Sequence, residues 1–303
     1  MSVPRALKQK KSRLEKRYLH YNTFFFLFPF LVVFLTFTII PIVYTIFMSF
    51  YQVKLMGQQL PQLSYTQLEN YYRVFRDPIF WAGLSNVFLI LAIQVPIMTL
   101  LALIAALLLN SPLISRRNLF RSIIYFPITV SLVLAAIFWN YMYGQDFGLI
   151  NPTLSSMGLP KVGWLVDSSV ALYSIMNVIT WRWTGWNMLF FLAGLQAIPK
   201  ELYDAVKVDG ASRLQTTRYV VIPLLKPVLI FSIVLSINGS LQTFAEPWVL
   251  TSGGPVYSTY TVVLNIYRYM FGIGNLGLAA AMSLVLGLMV IVMALIFIRV
   301  VRR

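Results

Sequence analysis

The sequence predicts an all-α integral membrane protein with six transmembrane helices, and three observations carry that reading. First, the 303-residue chain is 59% hydrophobic and only 11% charged, with a mean hydropathy of +0.76. Soluble domains carry about 25% charged residues, so a water-facing surface cannot be assembled from this composition. Second, six apolar stretches are long enough to cross a hydrocarbon core, which takes about 20 residues at 1.5 Å rise each. They lie near Phe24–Phe50, Trp81–Leu109, Ser122–Tyr143, Ser168–Ala197, Leu224–Ala245 and Leu276–Ile298. Third, the cations alternate between loops as they do in multi-pass proteins.

That alternation sets the orientation. One side collects the tail over residues 1–23 (Arg5, Lys8, Lys10, Lys11, Arg13, Lys16, Arg17), the second loop (Arg116, Arg117, Arg121), the fourth loop (Lys200, Lys207, Arg213, Arg218, Lys226) and the C-terminal end (Arg299, Arg302, Arg303). The other side holds Lys54, Arg73, Arg76, Lys161 and Arg268, and Arg182 falls inside a span. A bias of eighteen cations against five places both termini in the cytoplasm of a cell-membrane protein. The first apolar segment far exceeds the 7–15 residues of a signal-peptide core and ends in no small-residue cleavage site, so it reads as a retained span.

Composition also excludes chemistry. Cys is absent and His20 is the one histidine, which removes disulfides, thiol nucleophiles, Cys/His zinc sites and His-based acid–base catalysis. The nine acids fall mostly in loops, so no catalytic or metal-binding set assembles and an enzyme is not expected. The net charge of +15 would suggest nucleic acid in a soluble protein. Here the cations flank hydrophobic spans, which makes the lipid bilayer the partner and leaves no basic face for a nucleic acid.

The fourth loop, about 199–223, is too long and too patterned for a connector. Asp204, Lys207 and Val208 stand at i, i+3 and i+4, beside a small apolar stripe of Leu202, Ala205 and Val206. Gly210 permits a positive-φ turn that ends a short helix, and Ser212 or Asp209 can cap the next. Pro223 restricts the residue before it and is expected to start the fifth span. A bent helix–turn–helix along the cytoplasmic face results.

This loop resembles the EAA loop of permease subunits of binding-protein-dependent ABC importers. The family pattern is Glu-Ala-Ala, three residues, Gly, nine residues, Ile-x-Leu-Pro. Here it reads Asp204-Ala205-Val206, then Gly210, then Val220-Val221-Ile222-Pro223. Asp replaces Glu and the other changes stay apolar. The likeness extends to Glu69-Asn70-Tyr71, Asp77-Pro78, Phe80-Trp81, Leu119-Phe120-Arg121, Phe126-Pro127, Phe147–Asn151, Gly194–Pro199 and Leu250–Pro255, and points to the carbohydrate-uptake branch. It implies a type I importer permease fold whose coupling helix, carried by Asp204, Ala205, Val206, Asp209, Gly210, Ala211 and Pro223, docks on a partner ABC ATPase. It implies a second homologous permease and an extracytoplasmic solute-binding protein as further partners. No G-x-x-x-x-G-K-[ST] sequence is present, so ATP and Mg belong to the partner and no cofactor is expected in this chain.

Polar side chains at membrane depth are costly unless they face protein or water. Asn238, Gln242 and Glu246 stand at i, i+4 and i+8 and are expected on one helical face. Span four carries Trp181-Arg182-Trp183-Thr184-Gly185-Trp186-Asn187 at comparable depth. In maltose-type relatives the matching segments contribute to the sugar site, which makes Trp181, Arg182, Trp183, Gly185, Asn187, Asn238, Gln242, Thr243 and Glu246 the candidate substrate contacts. Blander roles compete: an Arg182–Glu246 structural ion pair, Trp181 in an aromatic belt, Asn238 and Gln242 bonded to the second permease. Asn86, Gln94 and Asn140 read as glue between helices. Glu69 and Asp77 stabilise an outer loop or touch the binding protein, and Gly253-Gly254-Pro255 shapes another. The scarcity of cations at that depth tilts the cargo toward neutral sugars over glycerol-3-phosphate, and the scarcity of buried ionisable groups tells against an ion-coupled carrier.

Overall fold

The computed structural model describes residues 25–54, 62–111 and 113–301. The basic tail expected over residues 1–23 and the terminal Arg302 and Arg303 lie outside the described residues. Helix α1 (Phe25–Ser49) leads into an antiparallel hairpin of β1 (Tyr51–Lys54) and β2 (Gln62–Tyr65), with Tyr51 opposite Tyr65. The short α2 (Glu69–Arg76) turns at Asp77 into α3 (Pro78–Asn110). Helices α4 (Arg117–Thr129) and α5 (Leu132–Met142) then meet at 99°. Next come α6 (Ile150–Ser156), α7 (Ala171–Gln196), α8 (Lys200–Val208) and α9 (Arg213–Leu241). After a break, α10 (Ala245–Thr251), α11 (Val262–Tyr267) and α12 (Leu276–Val300) complete the chain.

Among the described residues four helices, α1, α3, α9 and α12, are long and apolar enough to cross a membrane, and the bent pair α4–α5 makes a fifth if counted as one span. The remaining expected span is α7. Its 26 residues suffice in length, but Asn177, Arg182, Asn187 and its tryptophans dilute the apolar composition.

Among the described residues, prolines explain three of the four π turns, the one at Arg268–Gly272 having no proline after it. A proline ring in a regular helix collides with the carbonyl four residues back and leaves it without a donor. Ahead of Pro41, Pro96 and Pro223 the helix opens into π turns at Leu35–Ile39, Ile90–Gln94 and Thr217–Val221. In each, the N–H of the residue before proline (Ile40, Val95, Ile222) bonds the carbonyl five residues back. The expectation that Pro223 starts the fifth span at Leu224 is thereby corrected. The helix begins at Arg213 and runs through Pro223, because the wide turn absorbs the ring.

Packing joins α3, α7 and α9 through Ala102, Ala106, Met188, Phe191, Leu195 and Leu225. A second cluster, with Val74, Phe80, Leu84, Val262, Leu278 and Met282, seats α2, α3 and α11 on α12. Small residues set the closest approaches, as in other membrane bundles. A Cβ on Gly277 would lie 1.8 Å from the Tyr51 carbonyl oxygen, so the hairpin rests directly on α12. At the end of the bundle away from α8, Asp77 caps α3 by accepting from the Ile79 N–H at 2.8 Å. The same carboxylate accepts from Asn265 and Tyr269, each at 3.2 Å, which ties that cap to the α11 segment.

Candidate functional site

A cavity of about 460 Å³ opens between α3, α5, α7, α9 and the start of α10. From α7 it takes Ile179, Arg182, Trp183, Trp186 and Asn187, which recur at i, i+3, i+4, i+7 and i+8 and so form one face of the helix. Gln94 closes the π turn of α3, and Met98 follows one turn later. Leu235, Ser236, Gly239 and Ser240 supply the α9 wall, Leu132 the α5 edge, and Gln242–Glu246 the rim. Amides, hydroxyls and aromatic faces thus surround a concave space, a combination suited to a polar ligand with apolar C–H surfaces.

The rim depends on a helix break. Helix α9 ends at Leu241, Gln242 and Phe244 leave the helical conformation, and α10 restarts at Ala245. Pro247 supplies the reason: in a continuous helix its ring would meet the Thr243 carbonyl, whereas in the first turn of α10 its missing N–H costs nothing. The expectation that Asn238, Gln242 and Glu246 share one continuous helical face is corrected accordingly. Asn238 stays on α9, Gln242 is its cap, and Glu246 turns back toward α7. There Arg182 donates from Nη1 to Glu246 Oε1 at 3.1 Å, the two side chains being 12% and 11% exposed. Arg182 Nε is buried with no hydrogen-bond partner.

Below this pair lies a buried polar knot. Asn187 donates to the Trp183 carbonyl at 3.0 Å and accepts from the Ser232 hydroxyl, joining α7 to α9. Asn187 and Gln94 both point Nδ2 or Nε2 at Met98 Sδ, at 3.6 and 3.4 Å.

Of the nine residues expected around a cargo, Arg182, Trp183, Asn187, Gln242, Thr243 and Glu246 line this cavity. The other three do not line it. Trp181 stacks on Phe138 at 6.0 Å and meets Trp139 edge-on at 5.7 Å, so it packs α7 on α5. Gly185 faces α4, where a Cβ would come within 2.1 Å of the Ile124 carbonyl oxygen. Asn238 accepts from Gln242 Nε2 at 2.6 Å and orients that amide from the exposed side. Gln94, which reads as glue between helices, also lines the cavity, and Trp186, Ser236, Ser240 and Phe244 join the lining without having been among the candidate contacts. The signal for Gln94 was Pro96 two residues on, which marks the π turn that turns its amide inward.

In the fourth loop, Asp204 and Lys207 pair at 3.1 Å on the surface of α8, none of whose residues is buried. Asp209 ends α8, and Gly210 at φ +75° reverses the chain. The Gly210 and Ala211 N–H groups return to the Lys207 and Val206 carbonyls at 3.1 and 3.2 Å. Ser212, not Asp209, caps the next helix, in a reciprocal capping box with Gln215. Asp204, Ala205, Val206, Asp209, Gly210 and Ala211 therefore cluster around one turn, while Pro223 lies more than two helical turns into α9. Burial pushes the Tyr203 phenol up, and its hydroxyl lacks a partner. Val208 and Leu214 stand 87% and 78% exposed on either side of the turn.

Residues 98–303 match the family described as binding-protein-dependent transport system inner membrane component. The chain belongs to that family. As a permease subunit of such a system it is a membrane transport component and not an enzyme. It is 38% identical to the lactose transport system permease protein LacF of Rhizobium radiobacter, over 92% of this chain and 93% of that one. It is 33% identical to the trehalose/maltose transport system permease protein MalF of Thermococcus litoralis, over 90% of each. The permease also superposes on a chain of the crystal structure of a bacterial ABC transporter involved in the import of the acidic polysaccharide alginate. The TM-score is 0.81 at 21% identity, covering 97% of this chain and 99% of that one, which establishes the shared fold.

Proposed function

We propose that this permease forms half of the translocation pore of an ATP-driven importer for a sugar or oligosaccharide, working by alternating access. The observation that carries the reading is the cavity of about 460 Å³, walled by Trp183, Trp186 and Phe244 and edged by amides and hydroxyls. Aromatic faces receive the C–H surfaces of a pyranose while Gln242, Asn187 and Thr243 exchange hydrogen bonds with hydroxyls. Relatives named for lactose and for trehalose and maltose support that cargo class.

Six crossings follow when the bent α4–α5 pair counts as one span and α7, polar on its cavity face, as another. The cation bias sets both termini in the cytoplasm, and α8 then lies on the cytoplasmic surface as the coupling helix. Asp204, Ala205, Val206, Asp209, Gly210, Ala211 and Pro223 make up the handle that a partner ATPase moves, with ATP and Mg bound by that partner and none by this chain. Closure of the ATPase pair would swing α9, joined to the handle through Ser212, and turn the cavity from one face of the membrane to the other. A second permease completes the pore, and an extracytoplasmic binding protein delivers the cargo.

Reconstitution tests this directly. Purified with its partners into proteoliposomes, the permease should take up a neutral sugar only when ATP is supplied on the coupling-helix side, and W183A or Q242A should lower uptake without loss of assembly. Uptake by the lone chain driven by an ion gradient refutes the reading.

A further inference from the structure

Two side chains lining the cavity carry a formal charge, and the charges are opposite: Arg182 from α7 and Glu246 from α10. Every other lining group among the described residues is an amide, a hydroxyl, an aromatic ring or an apolar chain. The pair closes at 3.1 Å with both side chains nearly nine-tenths buried. Position makes it unusual. Arg182 lies near the middle of the 26-residue α7, where an ionisable group is costly and needs a compensating role. Stability alone does not supply one, because a buried ion pair gives little or no advantage over packed apolar residues of the same volume. The pair also sits on the wall that a ligand would touch, and Arg182 Nε holds no partner, so the guanidinium has donor capacity left over.

We propose that the Arg182–Glu246 pair sets the charge selectivity of the cavity, with Glu246 cancelling Arg182 so that the site admits uncharged hydroxylated solutes and rejects charged ones. The inference rests on the sugar reading above and adds the rule by which sugars are sorted. An acidic sugar brought to this wall meets Glu246 as a like charge and has to compete with it for Arg182. An amino sugar meets the mirror-image obstacle. A neutral sugar meets a wall of zero net charge and needs to break nothing. Removing one partner leaves a buried, uncompensated charge, and the cheapest way to neutralise it is to bind a solute of opposite sign.

The test uses the assembled importer in detergent and saturation-transfer NMR, which reads weak binding directly. The probes are two matched trios: glucose, glucuronate and glucosamine, and galactose, galacturonate and galactosamine, with the amines protonated. Wild type should bind the neutral member of at least one trio best. E246Q, which keeps the shape and the acceptor oxygen, should raise affinity for the matching uronate by roughly tenfold to a hundredfold. R182Q should do the same for the amino sugar, and the double variant should return to the neutral preference. A pair that the ligand does not reach moves none of these ratios. If E246Q does not assemble, the R182Q arm and the double variant carry the test. Wild type binding a neutral sugar while neither single variant changes its charge preference overturns this inference and leaves the sugar reading standing. Wild type binding no member of either trio overturns both.

Discussion

Gly210 offers a clean separation of turning the handle from building it. Its φ is +75°, and a Cβ placed there would have no neighbour within 4 Å. A side chain at this position therefore costs only backbone torsion. The left-handed conformation costs an L-residue about 1–2 kcal/mol, and a β-branched residue stands at the upper end of that range. Global unfolding has little at stake, since Gly210 is exposed and only Tyr203 and Val206 of α8 are partly buried. The local turn has much at stake, because the returns of Gly210 and Ala211 N–H to Lys207 and Val206 compete against that torsion with about 1 kcal/mol each. Gly210→Val should thus leave membrane insertion and detergent melting unchanged while the turn opens in a large fraction of molecules. In proteoliposomes holding the full importer, the sugar delivered per ATP hydrolysed should fall by up to about twofold, because a penalty of about 1–2 kcal/mol against about 2 kcal/mol of holding bonds opens the turn in up to about half of the molecules. Gly210→Asn, which tolerates positive φ, should recover most of the coupling. Wild-type transport stoichiometry in the valine variant would refute the assignment of this turn as the transmission point.

Other expected outcomes follow from single contacts. Trp183→Ala removes an aromatic wall and Gln242→Ala an amide from the cavity, so each should raise the half-saturation for sugar about tenfold in transport assays, with ATPase co-purification intact. Gly185→Ala sets a methyl group 2.1 Å from the Ile124 carbonyl oxygen; overpacking of about 1–3 kcal/mol should lower the detergent melting temperature, and an unchanged melt would show that α4 can slide. Asn86 donates to the Tyr257 and Tyr260 carbonyls at 3.0 and 2.9 Å, so Asn86→Ala should free the segment around Val256 and speed its proteolysis severalfold in intact protein.

Much of this architecture is legible in the sequence because a lipid solvent forces polar and apolar residues apart. The long apolar runs locate α1, α3 and α12 to within a few residues, and Gly210 with Ser212 marks the bend and the cap after α8. What the pattern does not reveal are places where a proline is accommodated without stopping the helix. Pro223 reads as a start because a ring usually ends a regular helix, but the π turn over Thr217–Val221 supplies a five-residue return and α9 begins at Arg213. Periodicity fails at the other end of α9 for the converse reason. Asn238, Gln242 and Glu246 keep helical spacing, yet Pro247 shifts the hydrogen-bond frame, and spacing carries no information across such a break. Gly185 and Trp181 illustrate a third limit: a helix face predicts which residues point together, not which neighbour they meet. On α7 the face of Ile179, Arg182, Trp183, Trp186 and Asn187 meets the cavity, while Trp181 and Gly185 meet α5 and α4.

These irregularities share one consequence for transport. A continuous α9 would aim Glu246 along the face of Asn238, and a regular α3 would give Gln94 a different azimuth, because a π turn shifts every later residue by about a third of a turn. Two of the departures from regular geometry move a polar group inward: Gln94 beside Met98, and Glu246 onto Arg182. The same departures are where the helices bend most readily, since widened or interrupted turns hold fewer regular backbone bonds. Residues that line the cavity are therefore mounted next to the points where the helices bend most readily. Movement of α9 at the π turn nearest Ser212 and α8 would reach the cavity wall at Ser236, Gly239 and Ser240 through a rigid stretch of helix, with the break at Gln242 free to let the rim respond separately. Pro223 thus puts a widened turn on the same helix that supplies this wall of the cavity.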